Sequence, residues 1–105
     1  MVLNFQGYID PPSHVSGGFD HADVYEQSRL VLVAHTANRS AEIIDGGKDT
    51  HSATSTGCPE ASGAVCAQRE ALVFTASRGA GKVLVIDSVN KTVAKEVPTE
   101  EGRTL

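Results

Sequence analysis

The sequence predicts an all-β fold of repeated four-stranded antiparallel units, on three observations. The first is an internal repeat: Leu30 aligns with Leu72 and Asp45 with Asp87, both at a shift of 42 residues with no gap. The same shift places Ala22 on Ala64, Ala34 on Ala76 and Thr50 on Thr92. The second is strand chemistry, with short runs rich in Val, Ile and Leu separated by polar or Gly-containing breaks. The third is the lack of any long window with apolar residues at i, i+3, i+4 and i+7, together with a Gly, Ser and Thr density that disfavours helix. A period near 42 holding several short strands is the mark of a β-propeller blade.

Each repeat divides into four strands, a to d. Strand a covers about His21–Tyr25 and then Gly63–Ala67; strand b covers Leu30–His35 and Ala71–Ala76. Strand c covers Ser40–Asp45 and Lys82–Asp87, and strand d about Thr50–Ser55 and Thr92–Val97. The breaks between them, such as Glu26-Gln27-Ser28 and Gly79-Ala80-Gly81, have hairpin length. Strand d of the first repeat is polar, as an outer strand facing water should be. Carrying the register back from Thr54-Ser55 reaches Pro12-Ser13, so residues 4–9 are expected as an isolated flanking outer strand. Carrying it forward from Ser62 reaches Thr104, where a further blade would open. The expected organisation is one partial propeller: 1–15 flanking strand and linker, 16–57 blade one, 58–100 blade two, and 101–105 the start of a missing blade.

Composition removes several function classes. The net charge of −4 and the absence of a Lys/Arg run exclude a nucleic-acid footprint and argue against an acidic lipid surface. No stretch has the length of a transmembrane helix, and the first residues lack the basic and apolar regions of a signal peptide, so the chain as written reads as cytoplasmic. Cys58 and Cys66 fit no zinc or redox spacing, and Cys66 in an apolar strand reads as a buried free thiol.

The segments VLVAHTANRSAEIID (31–45) and LVFTASRGAGKVLVID (72–87) resemble YVTN-type β-propeller repeats, and Gly17 to His21 is similar to the opening of a first blade in bacterial members. The resemblance implies a parent of about seven blades and an extracytoplasmic home. Its members include surface-layer-like proteins and relatives of lactonases and haem-d1-binding propellers.

In an up-and-down meander the d–a and b–c loops share one face, beside the central channel. Asp20, His21, His35, Asn38 and Arg78 fall there and are the candidate binding residues. Asp20 and His21 could act as a base or metal pair, and equally as turn caps. His35 could join His21 on a metal, against the simpler reading of a satisfied histidine at the end of an apolar strand. Arg78 could bind a carboxylate, or pair with Glu70 or Asp87. His14 and His51 read as solvated. Asp45 and Asp87 recur at the end of strand c, which favours a turn role. Gly79-Ala80-Gly81-Lys82 lacks the rest of a phosphate loop, and there is no G-x-S-x-G, H-E-x-x-H or C-x-x-C. No catalytic residue, metal or cofactor is therefore assigned. The expected function is a non-enzymatic scaffold for a ligand or partner, with a fragment of a propeller enzyme as the alternative. Two blades leave apolar faces uncovered, so self-association or the missing blades of a parent are the expected partners. Closure by copies would need about three or four chains.

Overall fold

A computed structural model of the chain describes residues 3–14 and 16–99. Its strands are β1 (Ala22–Tyr25), β2 (Leu30–His35), β3 (Ser40–Asp45), β4 (Thr50–Ser55), β5 (Ala61–Ala67), β6 (Leu72–Ser77), β7 (Lys82–Asp87) and β8 (Thr92–Pro98). They form two antiparallel sheets, β1-β2-β3-β4 and β5-β6-β7-β8, each a simple meander. The chain is all-β, and its two sheets stack as successive propeller blades. A 3-10 turn at Thr36–Asn38 joins β2 to β3.

The repeat extends to backbone conformation. The turns end on a left-handed residue at Arg29, Arg39 and Asp49 in the first sheet, and at Ala71, Gly81 and Lys91 in the second. All three pairs keep the 42-residue shift. Positive φ is uncommon outside glycine, so its recurrence at equivalent positions reflects one hairpin geometry used twice. Asp45 and Asp87 hold the third turn of each blade. Asp45 Oδ1 accepts the Gly47 and Lys48 N–H groups at 2.9 and 3.1 Å, and Asp87 Oδ1 accepts those of Val89 and Asn90 at 2.8 and 3.1 Å. The Asn90 and Val89 N–H groups hold the Asp87 carboxyl below its usual range. Asp87 is thereby committed to its own turn.

The strands depart from expectation in four places. β5 starts at Ala61, two residues early, and absorbs the extra length in an irregularity between Ala61 and Ala64. β6 is displaced to Leu72–Ser77, and β8 runs on to Pro98. The fourth is a correction: residues 4–9 form no strand. The outer edges of β3 and β7 are already taken by β4 and β8, so neither sheet offers this segment a central strand to pair with. The expected opening of another blade at 101–105 lies outside the described residues.

Register determines which side chains meet. Leu32 opposes Ile43 across β2–β3, while Val33 opposes Glu42, so the two faces of the first blade separate cleanly. The back face carries Leu30, Leu32, Ala34, Ala41 and Ile43. These join Cys66, Val73, Leu84 and Ile86 of the second blade in one buried cluster. At a typical coefficient of about 25 cal/mol per Å² of apolar surface, such a shared core is the main force joining the blades. Polar tethers align the inner strands: Cys66 N–H donates to Asp23 Oδ2 at 2.8 Å, and Gln68 Nε2 donates to the Val24 carbonyl at 2.8 Å. Gln68 Oε1 also accepts the Glu26 N–H at 2.9 Å, and Thr36 Oγ1 donates to the Ala61 carbonyl at 2.6 Å.

Both cysteines are buried in this core and free. Burial pushes the Cys58 thiol up. Burial, aided by the negative charge of Asp23, pushes Cys66 up to about 11. The thiolate is the reactive form, so in the native protein both cysteines are expected to react with a disulfide reagent on the order of 100-fold slower than in denaturant. Thiol titration at pH 8 with and without denaturant measures the ratio; equal rates would contradict the burial.

Candidate functional site

The front face of the first blade, opposite the core, carries Val31, Val33, His35, Ser40, Glu42 and Ile44. A charged residue in the middle of a strand needs partners when it is buried, and Glu42 has them. It is 1% exposed, and each carboxylate oxygen accepts two hydrogen bonds. Oε2 accepts from Ser40 Oγ at 2.7 Å and His35 Nδ1 at 2.8 Å. Oε1 accepts from Thr54 Oγ1 at 2.6 Å and His51 Nε2 at 2.8 Å. Burial raises the Glu42 carboxyl, but the bonds from Thr54, Ser40, His35 and His51 together outweigh it and hold the group below its usual range. Glu42 is an ionised carboxylate with its acceptor positions filled.

The network extends outward. His35 is fully buried, and its Nε2 lies 2.8 Å from His14 Nδ1. Phe19 stacks on the His35 ring with centroids 4.3 Å apart, and His14 meets the same ring edge-on at 4.9 Å. Asn38 Nδ2 donates to Ser40 Oγ at 2.9 Å, which orients the serine toward Glu42. Beside the network is a cavity of about 300 Å³ lined by Ile9, Pro11, Phe19, Val31, Val33, Glu42 and Ile44. Its walls are apolar except for the Glu42 side chain, and the residues from the N-terminal segment form its outer wall.

The structure gathers some of the candidate residues and separates others. His35 and Asn38 belong to the Glu42 network. Asp20 and His21 do not: they pair with each other at 3.1 Å on the surface. His35 therefore partners Glu42 and His14 rather than His21, and among the described residues no group of three or more His, Cys, Asp or Glu side chains is arranged to hold a metal ion. Arg78 is exposed on the β6–β7 turn, its N–H bonded to the Glu60 carbonyl at 3.3 Å. His51 is a correction to the solvated reading, being half-buried against Glu42; His14 is exposed as expected, and it also meets His35. Glu42 was not singled out by its type or spacing. Its signal is a break in the repeat, for Glu42 stands where the second blade has Leu84 and His35 where it has Ser77.

No family model matches the chain, and no curated protein matches it. Among solved structures it is similar to hydrazine synthase from Kuenenia stuttgartiensis, with a TM-score of 0.72 and 16% identity, over 91% of this chain and 28% of that one. The chain thus spans little more than a quarter of that protein, and the likeness is one of fold. It agrees with the propeller arrangement of the two sheets.

Proposed function

We propose that the chain is a non-enzymatic propeller module that binds through the open back face of its second blade, the occupant being the first blade of a second copy. One observation supports this reading above others. The repeat reproduces a surface that already accepts a blade. Leu30, Leu32, Ala41 and Ile43 are buried between the sheets. Their equivalents are Leu72, Phe74, Val83 and Val85, on the sheet face directed away from the first blade, where Val65 is 48% exposed. Val85 is buried and Leu72, Phe74 and Val83 are half-buried, while Val65 and Val97 on the same face are exposed; an apolar sheet face left partly open marks an interaction surface. Residues 31–45 and 72–87, similar to YVTN-type repeats, support the same scaffold reading.

The polar tethers do not recur: the place of Asp23 is taken by Val65 and that of Thr36 by Arg78. Association between copies is therefore weaker than the internal joint and depends on concentration. An enzymatic reading finds no thiol nucleophile beside the Glu42–His35–His14 series, because both cysteines lie in the core. Light scattering after size exclusion, across a concentration series, tests the proposal. The mass is expected to rise above that of one chain, and Phe74→Asp on the back face to restore the monomer. A wild-type chain that stays a folded monomer throughout overturns it.

A further inference from the structure

We infer that residues 3–14 are a strap held over the first blade by a bond between His14 and His35 that tolerates only one shared proton, so that acidification opens it. The argument begins at Glu42. Its carboxylate accepts from His35 Nδ1 at 2.8 Å, so that nitrogen carries a hydrogen. The other nitrogen, Nε2, faces His14 Nδ1 at 2.8 Å. If His35 is neutral, Nε2 is a lone pair and His14 must donate. If His35 is charged, Nε2 donates and His14 Nδ1 must be the lone pair. Either state has one hydrogen between the rings and at most one positive charge on the pair. A second proton sets N–H against N–H and places two cations in contact.

The surroundings sharpen this behaviour. Glu42 on β3 is the anion facing the pair. His51 on β4 meets the same carboxylate at its other oxygen, so a charge there cancels the carboxylate and leaves the His14–His35 pair uncompensated. Ser40, Thr54 and Phe19 complete the surroundings without charge. Asp20 and His21, before β1, pair with each other on the surface. Histidine is the side chain that ordinarily gains charge between about pH 8 and 5.

The strap is suited to release. Leu3, Phe5 and Tyr8 are 89%, 76% and 88% exposed, so its largest side chains add little burial against the blade. Ile9 and Pro11 face Val31, Val33 and Ile44 across an open cavity rather than filling it. Opening would uncover the front face of the first blade. The same front face is the one a second copy would have to offer in the association proposed above, so the test below is run at a concentration where the mass is that of one chain.

The test is methyl NMR on the full chain between pH 8 and 5, following contacts of Ile9 with Val31, Val33 and Ile44, with the β6 and β7 amides as a folding control. The contacts are expected to vanish on acidification while those amides keep their shifts. In His14→Gln the exposed side chain can still donate to His35 but cannot titrate. Its midpoint is expected at least one pH unit lower, roughly tenfold in proton concentration. His51→Gln should still show the transition. Contacts that persist to pH 5 in the wild type, an equal midpoint in His14→Gln, or loss only together with the β6 and β7 amides would overturn the inference.

Discussion

Glu42→Ala is expected to destabilise the chain by about 3–5 kcal/mol, the range for breaking a buried charged network on one side. Four donors converge on this carboxylate, and alanine would leave the His35 and Ser40 groups in a buried place without an acceptor. A domain of this size has about 5–15 kcal/mol in hand, so the variant should be close to unfolding. Glu42→Leu separates charge from shape. Leu84 fills the equivalent position in the second blade, so leucine suits the strand there, yet it cannot answer the histidines. It should therefore also destabilise, though less than alanine. The acid dependence has a definite sign. The native carboxyl lies below its usual range, so its contribution is complete above the ordinary glutamate value and is lost as the pH falls through the lower native value. Urea unfolding at pH 7, repeated downward through the carboxylate range, measures both effects. A Glu42→Gln variant should lose that part of the acid dependence. A cost below about 1 kcal/mol for Glu42→Ala, the usual size of a surface change, would mean the network contributes little.

The blades were legible in the sequence because their cause is local and repeated. Runs rich in Val, Ile and Leu in strands b and c, with breaks of hairpin length, placed β2, β3 and β7 at their observed bounds, and the repeat register placed the polar β4. The candidate site was only half legible. His35 and Asn38 were found from their position on the b–c loop, but Glu42, His14 and His51 were not. The reason is that strand pairing and the fold of residues 3–14 bring them together from four separate segments. No spacing rule covers such a set. The flanking strand failed for a different reason: a repeat register indicates what a segment resembles, whereas an outer strand d also requires a strand c whose outer side is vacant. In this chain β4 and β8 already hold that place beside β3 and β7.

Leu84→Ala tests whether the two blades are one folding unit. Leu84 is 2% exposed in the middle of β7, opposite Thr75 on β6. It belongs to the cluster that also holds Leu32 and Ile43 of the first blade. Truncating it removes transfer energy and leaves a cavity, for an expected cost of about 2–5 kcal/mol. The distribution of that loss is the informative part. A cavity at the joint weakens both sheets, so amide protection in β2 and β3 should fall by the same free energy as in β6 and β7. Val65→Ala, on the open back face, should shift both by no more than about 0.5 kcal/mol. If Leu84→Ala lowers protection only in β5 to β8, the blades unfold separately and the joint contributes little to either. Equal loss in both sheets would mean that neither blade is stable without an apolar face set against it, which is the same requirement that leaves the half-exposed Leu72, Phe74 and Val83 in need of a partner.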